Sequence, residues 1–391
     1  MMAKEHLIGG NHLTLLQNGT EYFPRLISDI DSAQRTIYLE TYIFAADEVG
    51  SLVADALQRA SHRGVAVCVL MDGFGSAHFP SEWLNRLRAS GVAVQWFRPE
   101  VYRFRMRRYR LRRLHRKLVA VDGAVAFVGG INVNADTRAE DGHTMPRLDF
   151  AVRLEGHLAQ EIQAVMMRLW NSVTWASSSF RSEQLVALIR HRPPAVRLPD
   201  LQLLLRDNVR HRREIERAYL RAMSTAQHEV LIANAYFLPG LAFRRALIQA
   251  ARRGVRVALL LQGKVEYRLQ HYATRALYDD LLDAGVEIYE YQASYLHAKV
   301  AVIDERWSTV GSSNIDPFSL LLAREANLLI YDAGFSLELK ADLMAAIAHN
   351  ALRIEPARWH RLGWFARLRS HVSYAVIRML VGVLGHPRSR L

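Results

Sequence analysis

Two short stretches of this chain carry the same reactive side chains at the same spacing. His115, Lys117 and Asp122 stand in Leu-His-Arg-Lys-Leu-Val-Ala-Val-Asp, and His297, Lys299 and Asp304 in Leu-His-Ala-Lys-Val-Ala-Val-Ile-Asp. In each copy a glycine (Gly129, Gly311) follows seven residues past the aspartate, and an asparagine (Asn132, Asn314) seventeen past the histidine. Composition makes the lysines conspicuous. Of 51 basic Lys and Arg residues five are lysine, and two of those five fill the same slot. Imidazole titrates near pH 6.5, so it serves at neutral pH as a nucleophile or as a proton donor. Breaking a phosphodiester needs a nucleophile, a proton for the leaving alkoxide and positive charge for the oxyanion. Two histidines from two similar halves can divide the first two tasks in a two-step displacement through a phosphohistidine. Lys117 and Lys299 would then bind the non-bridging oxygens, assisted by Asn132 and Asn314. Each imidazole also needs a carboxylate to fix its tautomer.

The elements that must hold these groups follow from periodicity. Residues two apart share one face of a strand, so each His-x-Lys pair projects together while the intervening apolar residues supply buried surface. Each strand turns back into a second one, 126–128 or 308–310, and that hairpin brings the Gly-x-x-Asn segment towards the histidine. Asp122 and Asp304, which close the strands, read as structural supports. Upstream, the order β-α-β-α-β occurs twice. In the first half a strand over 36–44 precedes a helix over 51–62, a strand over 65–71, a helix over 81–89 and a strand over 92–97. In the second half the matching ranges are 229–237, 241–252, 255–261, 272–284 and 286–291, with Gly64, Gly91, Gly254 and Gly285 as helix stops. The chain is a tandem duplication, and regular βαβ alternation implies an α/β fold of two pseudo-symmetric domains, each a sheet flanked by helices. The expected domains are 1–180 and 201–350, joined by a linker over 181–200 that follows a long helix from His157 to Thr174, and ending in a basic amphipathic segment over 351–391.

Composition narrows the partners. The formal charge is +13 over 391 residues, which favours anionic partners: nucleic acid, anionic lipid or phosphorylated substrates. The lone Cys68 lies in an apolar strand pattern, reads as a core residue and rules out a disulfide within the chain, which fits a reducing compartment. Met1 to Gly10 is too short and polar for a signal peptide, and no apolar run reaches membrane-spanning length. The copies differ in one place: 24 residues separate Gly91 from His115, but 12 separate Gly285 from His297. The extra length is rich in arginine (Arg103 to Arg113), interleaved with aromatic residues. It reads as a solvated face, as a loop for lipid phosphates, or as a nucleic-acid contact. Elsewhere, Asp72 is a site-edge residue or a solvated turn, and His62, His143 and His271 are expected at the surface. Trp83, Trp96 and Trp170 are expected in the core. Residues 359–391 combine apolar helical spacing with four arginines, as a helix lying in a bilayer interface or packed on the domains.

The doubled His-x-Lys-x4-Asp with its trailing Gly-x-x-Asn resembles the phospholipase D superfamily, and within it the bacterial cardiolipin synthases of the short B type. Stretches such as Leu39-Glu40-Thr41-Tyr42-Ile43-Phe44 and Trp307-Ser308-Thr309-Val310-Gly311-Ser312-Ser313-Asn314 carry the resemblance over about residues 10 to 335. It implies two phospholipase D-like domains with the active site between them, and transfer of a phosphatidyl group between two phosphatidylglycerol molecules with release of glycerol. His115 would be the nucleophile, and His297 the acid and then the base. Asp149 and Glu325 fit the orienting carboxylates that the family has beyond the asparagine. Glu40 has an uncharged counterpart in the second half, and is either a first-half site residue or one side of a structural ion pair. No metal or other cofactor is implied. The expected partners are anionic phospholipid and the membrane surface, at the cytoplasmic face of a bacterial inner membrane, with nucleic acid not expected and no obligate protein partner inferable. A hydrolytic phospholipase D or nuclease is the runner-up, and a non-catalytic membrane-surface protein the reading from another class.

Overall fold

The computed structural model describes residues 4–99, 112–136, 146–177, 200–207, 211–317, 319, 323–361 and 364–385. Most of the arginine-rich run (103–110), His143 and the linker 181–199 lie outside the described residues. The first half contributes β1 (Glu5–Ile8), β2 (Asn11–Gln17), β3 (Thr36–Thr41), β4 (Ala66–Asp72), β5 (Ala93–Phe97), β6 (Lys117–Val121), β7 (Val125–Gly129) and β8 (Phe150–Glu155). They form one sheet in the order β1-β2-β8-β7-β6-β3-β4-β5, in which β3, β4 and β5 run parallel and the remaining pairs are antiparallel. The second half contributes β9 (Leu201–Arg206), β10 (Glu229–Asn234), β11 (Arg256–Gln262), β12 (Glu287–Tyr291), β13 (Lys299–Ile303), β14 (Trp307–Gly311), β15 (Glu325–Tyr331) and β16 (Ala351–Arg353). Their order, β16-β12-β11-β10-β13-β14-β15-β9, repeats the central arrangement. Both sheets are mixed and flanked by helices, as expected from the βαβ alternation.

Register makes the duplication exact to the residue. Ile37 pairs with Val121 on one side and Val67 on the other, and Val230 pairs with Ile303 and Val257. Asp122 and Asp304 are equivalent by motif, so Glu40 corresponds to Ala233, Tyr42 to Ala235 and Asp72 to Gln262. Past the strand ends the correspondence persists, because Ala45 N–H donates to Val133 O as Leu238 N–H does to Ile315 O.

The hairpins β6–β7 and β13–β14 are closed by Asp122 and Asp304, both at positive φ (54° and 50°). The carboxylate of Asp122 accepts from the backbone N–H groups of Gln34, Arg35 and Thr36, and that of Asp304 from those of Gln227, His228 and Glu229. Each aspartate ties its hairpin to the start of the strand beside it.

One apolar core runs through both halves: Leu118, Ala120, Val128 and Val152 of the first sheet share it with Val300, Val302, Leu328 and Ile330 of the second. This shared core joins the halves as one folding unit.

Several expectations are corrected. The helix expected over 272–284 is two, Arg268–Arg275 and Tyr278–Asp283. The Thr274 hydroxyl bonds to the carbonyls of Phe237 and Gln270, tying the first piece to the end of β10 where the chain breaks. The motif histidines lie just ahead of β6 and β13 rather than inside them. Asp72 is fully buried, not a solvated turn, and His271 is half-buried. Trp83, Trp96 and Trp170 are partly buried against the cores. Cys68 is half-buried, and burial raises its thiol to about 11. The helix Trp364–Gly385 packs on Arg268–Arg275, with Ile377 buried, Tyr374 half-buried and Arg369 over the Tyr272 ring at 3.8 Å.

Candidate active site

Both motif histidines are held by the opposite half. His115 N–H donates to Arg324 O and His297 N–H to Leu148 O, at 3.0 and 2.9 Å. Each accepting carbonyl immediately precedes a carboxylate residue. As a result Glu325 reaches Nδ1 of His115 (3.0 and 3.1 Å), and Asp149 reaches Nδ1 of His297 (2.6 Å). A carboxylate only accepts, so each Nδ1 carries the proton and each Nε2 is free to react. The family resemblance implied a carboxylate beyond each asparagine, but the crossed pairing appears only in three dimensions.

The lysines fold back over the histidines: Nζ of Lys117 donates to His115 O at 2.6 Å, and Nζ of Lys299 to His297 O. Both are buried. Burial pushes Lys117 down to about 7 and Lys299 to about 8, each against the pull of the carboxylates. Burial also lowers His115, opposed by Glu325, and lowers His297 well below its ordinary value, reinforced by Lys299, Lys117 and Arg147. Asp149 is raised to about 6 by burial. A phosphodiester bound here would bring negative charge among these groups and restore protons to the lysines and to an imidazole.

The other expected site residues divide. Asn132 Oδ1 accepts from Ile43 N–H, whereas Asn314 is buried with Oδ1 unpartnered and Nδ2 3.5 Å from Ser319 Oγ. Asp122 and Asp304 sit at the far end of their strands, on the backbone contacts described above. Glu40 is engaged by Arg116, bidentate and buried. The second half has Ala233 and Ala298 at these two positions, so the pair is present or absent as a unit.

Five further residues complete the site, of which Asp72 was already a candidate for its edge. Tyr42 packs edge-on against His115 (centroids 5.0 Å apart) and lies 5.5 Å from Lys117 Nζ. Ser312 Oγ donates to Glu325 at 2.6 Å, and its counterpart Gly130 has no room for a Cβ beside the Asp149 carboxylate. The shorter acid therefore goes with glycine and the longer with serine. Asp72 accepts from Leu114 N–H (2.7 Å), and its counterpart Gln262 from Leu296 N–H (2.6 Å), each fixing the residue just before a motif histidine. The signal in sequence was the duplication itself, once strand register makes 72 and 262 equivalent.

Comparison with known proteins agrees with this geometry. Residues 26–170 and 219–346 match the family described as cardiolipin synthase, PLD-like domain. The chain belongs to this family. Cardiolipin synthase B of Escherichia coli K12 is 38% identical over 379 residues, covering 96% of this chain and 90% of that protein. A probable cardiolipin synthase of Bacillus subtilis is 30% identical over 96% of this chain and 72% of its own length. In solved structures, phosphatidylserine synthase of Haemophilus influenzae shares the fold, with a TM-score of 0.69, 14% identity and coverage of 95% of this chain and 94% of that one.

Proposed function

We propose that this chain is a cardiolipin synthase, a phosphatidyltransferase that joins two phosphatidylglycerol molecules and releases glycerol without a metal. The observation carrying this reading is the pair of partly buried imidazoles, each oriented by the other half's carboxylate, in a chain whose relatives bear that name. In the first step His115 Nε2 attacks phosphorus, the bond to the headgroup oxygen breaks, and His297 Nε2 gives that oxygen its proton. In the second, His297 takes the proton of an acceptor hydroxyl, whose oxygen attacks phosphorus and expels the His115 imidazole. Lys117 and Lys299 hold the non-bridging oxygens throughout, assisted by Asn132 and Asn314.

The reaction takes place at an anionic bilayer, with the enzyme peripheral on the cytoplasmic face of the bacterial inner membrane. Among the described residues no helix is long and apolar enough to cross a membrane. The net charge of +13 supports the attraction to anionic lipid.

Incubation with phosphatidylglycerol, in parallel with phosphatidylethanolamine as donor, followed by thin-layer analysis tests the assignment. Cardiolipin plus glycerol is expected, and phosphatidic acid as the only product would overturn it in favour of a hydrolase. His115→Ala and His297→Ala should each lose at least about a hundredfold, the lower end of a general acid's contribution. With labelled donor, His297→Asn should accumulate an acid-labile phosphatidyl adduct on His115. An adduct on His297 in the reciprocal variant reverses the two roles.

A further inference from the structure

The two motifs are held by matching contacts that part at one residue. In the first, Asp72 fixes Leu114 N–H, Arg324 O fixes His115 N–H, Glu325 fixes the imidazole, and Lys117 Nζ folds back to His115 O. In the second, Gln262, Leu148 O, Asp149 and Lys299 do the same for Leu296 and His297. The residue between histidine and lysine is Arg116 in one motif and Ala298 in the other.

Arg116 turns its guanidinium to Glu40 on β3. Glu40 stands opposite Leu118, two residues beyond Arg116, so the two charged side chains meet on a diagonal across neighbouring strands. Nη2 donates to Oε1 at 2.8 Å and Nε to Oε2, and the side chains are 5% and 3% exposed. In the second half Ala233 stands opposite Val300 in the same antiparallel pairing, and Ala233 and Ala298 are both fully buried. The strands therefore pair without the charges. Two charges taken out of water lose in hydration much of what they gain in attraction, and apolar packing often does as well. Stability thus gives no reason for the pair to stand in one copy. A bidentate contact between guanidinium and carboxylate fixes geometry as well as charge. Here it fixes the residue joined on either side to His115 and Lys117.

We infer that Glu40 and Arg116 form a positioning pair, which sets His115 Nε2 in line with phosphorus for covalent attack. This role rests on the transferase reading above, in which His115 is the nucleophile. The demands on the two imidazoles are unequal. A nucleophile must approach phosphorus along one direction, and a small misplacement is costly. A proton donor needs hydrogen-bond reach and can act through one water. In the step that the pair serves, His115 Nε2 forms a bond to phosphorus and the bond to the headgroup oxygen breaks. That oxygen keeps the electron pair and takes the proton of His297. The clamp stands where the covalent bond is made, and the half that moves a proton does without it.

A phosphatidyl ester of p-nitrophenol as donor to the full chain isolates this step, because its leaving group needs no proton. The double variant Glu40→Ala with Arg116→Ala copies the second half and strands no buried charge. Its burst of p-nitrophenolate should be slower by about tenfold or more. Its melting temperature and its affinity for a non-hydrolysable phosphonate analogue of the donor should match wild type. A burst as fast as wild type, with the adduct still on His115, overturns the pair's role and leaves the transferase standing. So does a slower burst that comes with a lower melting temperature and recovers on cooling, which is what a merely structural pair would give. Should the double variant fail to fold, Arg116→Lys decides: it keeps the charge and loses the fork, and a wild-type burst there overturns the role. An adduct on His297 in the wild-type enzyme would discard the choice of nucleophile, and the pair's role with it.

Discussion

At the scale of single residues, the site is governed by charge removed from water. Lys117 and Lys299 are held near about 7 and 8, and Asp149 near about 6, chiefly by burial. These directions fix the sign of a pH dependence. Above the depressed lysine values the ammonium groups lose their protons and no longer attract a phosphodiester, so kcat/KM falls as pH rises. Below the raised Asp149 value the carboxyl gains a proton and stops accepting from His297 Nδ1–H, so kcat/KM falls again. The profile should be a bell with limbs near about 6 and about 7–8, in the range of these buried groups. Arginine stays charged at these pH values but presents a planar fork in place of a compact ammonium. Lys117→Arg should therefore be slower at its optimum, with its alkaline limb displaced upward. A wild-type profile flat from pH 5 to 9 would remove the argument.

At the scale of elements, each catalytic hairpin depends on an aspartate that never meets substrate. Asp122 and Asp304 each gather three consecutive backbone N–H groups while occupying a left-handed conformation that alanine adopts at a cost. Asp122→Ala and Asp304→Ala should each lose about 1–2 kcal/mol, discounted for the partly exposed setting. Calorimetry should show a lower melting temperature, with less damage to turnover than in the histidine variants. Asparagine at either position retains an acceptor oxygen and the tolerance of positive φ, and should recover part of the loss; variants melting like wild type would mean the turn holds itself. This scale is also where sequence reasoning reached furthest. The spacing of His115, Lys117, Asp122 and Asn132 describes a strand, a tight turn and a returning strand, and β6 and β7 have that form. The carriers of the carboxylates, β8 and β15, were not foreseen as strands. Nor was the exchange of Glu325 and Asp149 between halves, because it depends on how two sheets face each other, which no local period encodes. Tyr42 was equally hidden, since an aromatic at a strand end reads as core until register sets it over His115.

At the scale of the molecule, the C-terminal helix is both packed and uncovered. Tyr374 and Ile377 face the second domain, while Trp364, Phe365, Leu368, Val372 and Met379 are exposed, Phe365 at 70%. Arg361, Arg369 and Arg378 are exposed along the same segment. An apolar stripe flanked by arginine suits an anionic bilayer, at roughly 1 kcal/mol for each basic residue near the surface. Deleting the helix would also strip Ile377 from the core, so the cleaner change is Trp364→Ser with Phe365→Ser and Leu368→Ser. This variant should keep the wild-type melting temperature and sediment less with phosphatidylglycerol vesicles. Wild-type binding should weaken with salt without vanishing, because the apolar part is not screened. Equal sedimentation of variant and wild type would assign membrane contact to another face.

The exchange of carboxylates has a consequence for ancestry and divergence. A lone half would own one imidazole and the anchor for somebody else's, so it could act only by meeting a twin, and a pair of twins would be indifferent to which imidazole took the phosphorus. Fusing the twins into one chain removes that indifference. Each copy can then drift without inflicting its changes on the other, as Tyr42 and Ala235 have done. Chemistry that begins at one imidazole and finishes at the other thereby acquires a front door and a back door.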